Sequence, residues 1–210
     1  MRKLTARRSD RQQDRAVALL KQRGMVRLAE FRAKGVTAAT ISRLERAGAV
    51  VRLGRGVYQL PDAAVDAHHV LAEASKRIPK GVICLVSALA FHDLTDQMPA
   101  RVWMTISPKA WRPRIEYPAI RFVRFPKERL AKGVEFHMIE GVRVPIFGVA
   151  KTVADVFRYR RVLSTTLAIE GLREAFRKNK ATPAEISRQA VEAGVWTAMQ
   201  PYLEALTLDG

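Results

Sequence analysis

Glycine punctuation in the first sixty residues leaves few architectures open to this chain. Gly24, Gly35 and Gly48 each close a stretch that contains neither glycine nor proline, and Gly54-Arg55-Gly56 separates two β-prone runs. Glycine just past a periodic apolar segment is a helix stop, because only it enters the left-handed region without strain. Asp10–Lys21 therefore reads as a first helix, with Ala16, Val17, Leu19 and Leu20 as its apolar stripe. Val26–Ala33 reads as a second, offering Val26, Ala29 and Phe31 to a core. Thr37 is an N-cap for a third helix, Ala38–Ala47, whose Ile41 and Leu44 lie one turn apart and face inward. Ala49–Leu53 and Val57–Pro61 then form a hairpin with Arg55 at its tip.

A chain ordered as helix, helix, turn, polar-faced helix and basic hairpin predicts a winged helix-turn-helix over residues 10–61, behind a basic tail at 1–9. The third helix meets the demands of a recognition helix. Thr37, Ala39 and Thr40 are small enough at its amino end for close approach to base edges, and Arg43 and Arg46 can bond guanine or phosphate. Arg52 and Arg55, on the hairpin, are placed for the sugar-phosphate backbone or the minor groove. These seven residues are the candidate DNA-binding set.

Charge supports a polyanionic partner. The 210 residues carry a net charge of +17, and residues 1–61 alone hold 15 basic and 4 acidic side chains. A membrane-lying helix would need a broad Leu/Phe/Trp face opposite the basic one, and Asp10–Arg23 contains no aromatic residue. Duplex DNA is the better-matched partner. No apolar run approaches the roughly 20 residues of a membrane span, and the segment Ala16–Leu20 is too short for the apolar region of a signal peptide. The single cysteine, Cys84, lies in the apolar run Val82–Val86, so no disulfide framework is available. A cytoplasmic protein is expected.

Residues 62–210 predict a mixed α+β domain with a small sheet and C-terminal helices, so the whole chain is α+β. Ala63–Arg77 reads as a helix, Val82–Leu94 as a compact apolar segment, and Val102–Ile106, Ile120–Phe125 and Val134–Ile139 as strands. Four helices follow, at Ala150–Tyr159, Thr165–Lys178, Pro183–Ala193 and Thr197–Leu206. Catalytic motifs are missing from this half: it contains no glycine-rich phosphate loop, no Gly-x-Ser-x-Gly and no His-Glu-x-x-His. His68 and His69 are adjacent and point about 100° apart on a helix, which excludes an i, i+4 metal pair. His92, Asp93 and Asp96 form the one acid-imidazole cluster, read as capping or core-bordering, and Lys151 and Asp155 as an ordinary ion pair one turn apart. Trp103, Trp111 and Trp196 do not recur along one basic strand and read as core or interface rather than as base-stacking platforms. Neither a cofactor, a metal nor an enzymatic activity is expected.

Four segments together resemble the AbiEi-type antitoxins, the regulator half of type IV toxin-antitoxin and abortive-infection operons. They are Thr37–Leu44, the hairpin Leu53–Pro61, the block Ser87–Pro99, and Ala150–Asp155, where Lys151 stands in place of the arginine the resemblance leads one to expect. The resemblance implies a repressor that binds inverted repeats at its own promoter. It also implies a second domain that contributes to repression and to neutralising a nucleotidyltransferase-like toxin, with no need for a stable complex. Two readings from other classes stay open at this point. One is a nucleic-acid-processing enzyme with His92, Asp93 and Asp96 at a metal site; the other is an RNA-binding or protein-interaction module using the same basic face.

Overall fold

The structure, a computed structural model, describes residues 2–208, with side chains from 10 to 206. It is a mixed α+β chain of helices and two sheets that divides into two compact units, Met1–Pro79 with His137–Val144, and Lys80–Phe136 with Pro145–Gly210.

The first unit runs α1 (Arg2–Arg23), β1 (Val26–Arg27), α2 (Leu28–Ala33), α3 (Ala38–Arg46), β2 (Val51–Gly54), β3 (Val57–Gln59) and α4 (His69–Arg77). Its three strands form an antiparallel sheet in the order β1-β3-β2. Ala16, Leu19 and Leu20 from α1, Phe31 from α2, and Ile41 and Leu44 from α3 are buried together with Val26, Val50 and Tyr58, the Phe31 and Tyr58 rings meeting edge to face. Burial of this apolar stripe, rather than helix propensity, makes a six-residue helix such as α2 viable.

Three expectations change here. The first helix begins at Arg2, so positions 2–9 of the expected tail continue α1. The second helix starts two residues late, because Val26 and Arg27 pair with Tyr58 and Val57 as a strand. The helix expected over Ala63–Arg77 is formed only from His69.

The boundary expected at residue 61 also moves, since this unit takes in α4 and the distant residues 137–144. The reason is a backbone contact. Gly24, at φ +61°, lies so close to the Glu140 carbonyl that a Cβ would stand 1.8 Å from its oxygen, and a Cβ on Gly141 would meet the Arg23 carbonyl carbon at 2.7 Å. His69 Nδ1 and Glu140 Oε2 lie 2.8 Å apart in the same region, and the backbone N–H of Asp66 donates to Glu140 Oε1.

The second unit contains β4 (Val82–Ile83), α5 (Leu85–Phe91), β5 (Val102–Ile106), β6 (Ile120–Arg124), α6 (Lys127–Leu130) and half each of β7 (Val134–Ile139) and β8 (Val142–Phe147). The helices α7 (Val149–Arg158), α8 (Thr165–Arg177), α9 (Pro183–Ala193) and α10 (Trp196–Leu208) complete it. The sheet order is β6-β5-β4-β8-β7, with β4 antiparallel to β5 but parallel to β8. Its core brings Leu85 and Leu89 of α5 against Val153, Val156 and Phe157 of α7, Leu172 of α8 and Ile186 of α9. Thr182 starts α9 as a full capping box with Glu185.

β8 was absent from the strands expected from sequence. The two-residue turn Glu140-Gly141, with φ of 48° and 73°, joins it to β7, as in a type I′ hairpin. Among the described residues no helix is long and apolar enough to cross a membrane.

Candidate nucleic-acid interface

Helix α3 is presented by a polar lock at its amino end. The Thr37 hydroxyl accepts from the Thr40 backbone N–H at 3.2 Å, and Gln12 of α1 accepts from the Thr37 backbone N–H and, at 2.7 Å, from the Thr40 hydroxyl. Ile41 and Leu44 are buried beneath the helix. What remains outside is a face of Ala39, Ser42, Arg43 and Arg46, all exposed. Arg46 donates back to the Ser42 carbonyl at 3.3 Å and Arg43 reaches the Thr40 hydroxyl at 3.4 Å, so both guanidiniums lie along the helix with donors to spare.

The expectation for Thr40 is overturned. It is 1 % exposed, and its hydroxyl is committed to Gln12 and Thr37, so it braces the helix instead of reaching a base edge. Thr37 stays exposed, with its hydroxyl acting as the cap. Sequence reading passed over Ser42, which the helical spacing places on the outer face one turn before Arg46, and Gln12, whose role depends on a partner 28 residues away.

The hairpin is tighter than its three-residue linker suggested. Gly54 pairs with Val57 as part of β2, leaving Arg55-Gly56 as the turn, with Gly56 at φ +74°. Arg55 is exposed at the tip, and Arg52 is exposed on β2, its Nε donating to the Gly54 carbonyl at 3.2 Å. Arg77 of α4 donates to the Leu53 carbonyl at 2.9 Å and pairs with the buried Glu73, which ties the end of the hairpin's first strand, β2, to α4.

A second ionic cluster lies nearby in the same unit. Glu30 of α2 holds Lys76 of α4 at 3.1 Å and accepts the Arg27 backbone N–H at 2.7 Å. Burial alone would push the Glu30 carboxyl up, but the Arg27 N–H and the Lys76 ammonium outweigh it and hold it below its ordinary value. Burial likewise pulls Lys76 below the usual lysine range, against the attraction of Glu30.

The acid-imidazole cluster of the second unit does not converge. His92 Nε2 donates to the Phe147 carbonyl at 2.8 Å, Asp93 takes Lys180 at 3.1 Å, and Asp96 is exposed. Among the described residues no three His, Cys, Asp or Glu side chains are grouped as metal ligands. The Ser87–Pro99 block is instead spent on architecture, with the Ser87 hydroxyl accepting the Trp103 backbone N–H at 2.9 Å and Thr95 donating to Glu170 at 2.7 Å. Lys151 and Asp155 do pair, at 2.9 Å, but the pair is buried and shared with Arg129, and the Lys151 ammonium sits 4.5 Å from the centre of the Phe147 ring. Cys84 is fully buried and its thiol is pushed well up, chiefly by that burial.

Comparison with known proteins bears on the segment of α3 and the hairpin. Residues 14–61 match the sequence model of a family described as "Transcriptional regulator, AbiEi antitoxin". The family resembled on sequence grounds is thus met over the segment that carries α3 and the hairpin, and that family is one of regulators. Across the larger part of the chain, the fold is similar to that of the RV2827C protein from Mycobacterium tuberculosis, solved as a crystal structure. The TM-score is 0.57 at 14% sequence identity, covering 92% of this chain and 80% of that one. No curated protein matches the sequence.

Proposed function

We propose that residues 10–61 act as a winged helix-turn-helix that binds duplex DNA sequence-specifically, and that the chain is a cytoplasmic repressor of its own promoter and the antitoxin of a type IV pair. One observation carries the reading. Within the segment matching a regulator family, α3 leaves a continuous exposed face of Ala39, Ser42, Arg43 and Arg46 on a buried, capped base. A helix of this build enters a major groove with short side chains leading, and a bidentate arginine on guanine contributes about 1–3 kcal/mol of discrimination. Arg52 and Arg55 extend the basic surface on the hairpin and suit phosphate contacts, which position without specifying. The inverted-repeat operator and the nucleotidyltransferase-like toxin come from the family resemblance, and gene neighbourhood is the direct check on the latter.

The roles separate by mutation. Arg43→Ala relaxes sequence preference, narrowing the gap between operator and random duplex. Arg55→Ala weakens all duplexes alike and flattens the salt dependence by about one unit. Equal loss on operator and random DNA for Arg43→Ala would remove the base-reading role from α3.

A further inference from the structure

The loop between β5 and β6 presents an aromatic side chain that no core claims. Trp103 is buried and Trp196 packs against the second unit's core, as the sequence suggested, but Trp111 is 86% exposed. Large indoles left in solvent on an ordered backbone are uncommon, since each leaves a large apolar surface in water. Here the backbone is tied down on both sides of the residue. Arg124 of β6 donates to the carbonyls of Ser107, Pro108 and Ala110, the last at 3.3 Å, and Arg112 lies 5.6 Å over the Phe122 ring of the same strand. Trp111 is thus held between two anchors and faces water.

Its surroundings are basic. Residues 101–124 contain six lysines and arginines against the single acid Glu116, and Lys109, Arg112, Arg114 and Tyr117 are all exposed. We infer that this loop is a second nucleic-acid site, one that grips single-stranded DNA or RNA by stacking a base on Trp111 while its arginines and lysine hold the flanking phosphates. The choice of partner follows from the side chains. Within a duplex the base faces are already stacked on one another, so a solvent-facing indole finds a partner only on an unpaired strand. Protein interfaces share the enrichment in Trp, Tyr and Arg, but six cations against one carboxylate over 101–124 match a polyanionic strand better than a mixed protein surface. The loop belongs to the second unit and α3 to the first, and the proposal stands whether or not α3 binds operator DNA.

The test measures binding of fluorescein-labelled dT20 and rU20 to the full chain by anisotropy, alongside intrinsic tryptophan emission, for the parent, Trp111→Ala, Trp111→Phe and Arg43→Ala/Arg46→Ala. Both oligomers should quench the indole emission. Trp111→Ala should abolish the quenching and weaken binding about tenfold, Trp111→Phe should recover most of the affinity, and the α3 double variant should bind the oligomers as the parent does. The ratio of dT20 to rU20 affinity assigns the physiological strand. Unchanged oligomer binding in Trp111→Ala, loss of it in the α3 variant, or equal quenching by poly-glutamate would each overturn the site. So would loss of duplex affinity equal to the loss on the oligomers.

Discussion

Helices α3 and α7 are nearly the same length and both carry basic residues beside an apolar stripe, yet they dispose of charge in opposite ways. On α3, Arg43 and Arg46 stand in solvent while Ile41 and Leu44 go under. On α7, Lys151, Thr152 and Asp155 are buried along with Val153 and Val156, and Arg129 from α6 closes the ionic cluster. Charge in water remains available to a partner, whereas charge taken inside is consumed by the fold, because desolvation obliges it to find its counterion there. The ionic residues of α7 are therefore taken up by the fold, whereas those of α3 stay in solvent.

The contrast is broken most severely by Asp155→Ala. It strands Lys151 and Arg129 without their carboxylate and should cost the second unit about 3–5 kcal/mol in urea unfolding followed by tryptophan emission. All three tryptophans belong to that unit, so the probe is local. Next is Gly24→Ala. The substitution combines a positive φ with a clash against the Glu140 carbonyl, and a loss of about 1–3 kcal/mol should appear in amide exchange of the first unit. Thr37→Ala removes the α3 cap and should cost about 1 kcal/mol, with duplex affinity falling as the helix end frays. Arg55→Ala should leave stability within about 0.5 kcal/mol while weakening every duplex, which is the signature of charge kept for a partner.

Acid sharpens the same comparison. Because the Glu30 carboxyl titrates below its ordinary value in the folded chain, its contribution is complete above about pH 4.5. It is lost as the pH falls through the folded value. Glu30→Gln should flatten the acid limb of the first unit's stability profile and leave that of the second unsteepened.

Sequence made the outer faces legible and left long-range partners hidden. Thr37, Gly48, Ile41 and Leu44 located α3 to within a residue, since caps and a 3.6-residue period are local signals. The Thr182-Pro183 start of α9 was equally plain. Val26 was read as helical because its strand partner, Tyr58, lies 32 residues on, and Thr40 was placed outside because the residue that buries it, Gln12, sits on another helix. β8 escaped notice since Pro145 interrupts its apolar pattern, and its place between β4 and β7 is set by the sheet rather than by its own residues. Trp111 carries no sequence signal that sets it apart from the other tryptophans; its exposure, on a loop anchored by Arg124 and Arg112, does so.

The most direct test is fluorescence anisotropy of the full chain on the duplex upstream of its own gene and on a scrambled duplex, at two salt concentrations. The account predicts binding to the upstream duplex at least about a thousandfold tighter than to the scrambled one, with the preference kept at the higher salt. Equal affinities that vanish together as salt rises would contradict it, reducing the exposed face of α3 to non-specific charge attraction.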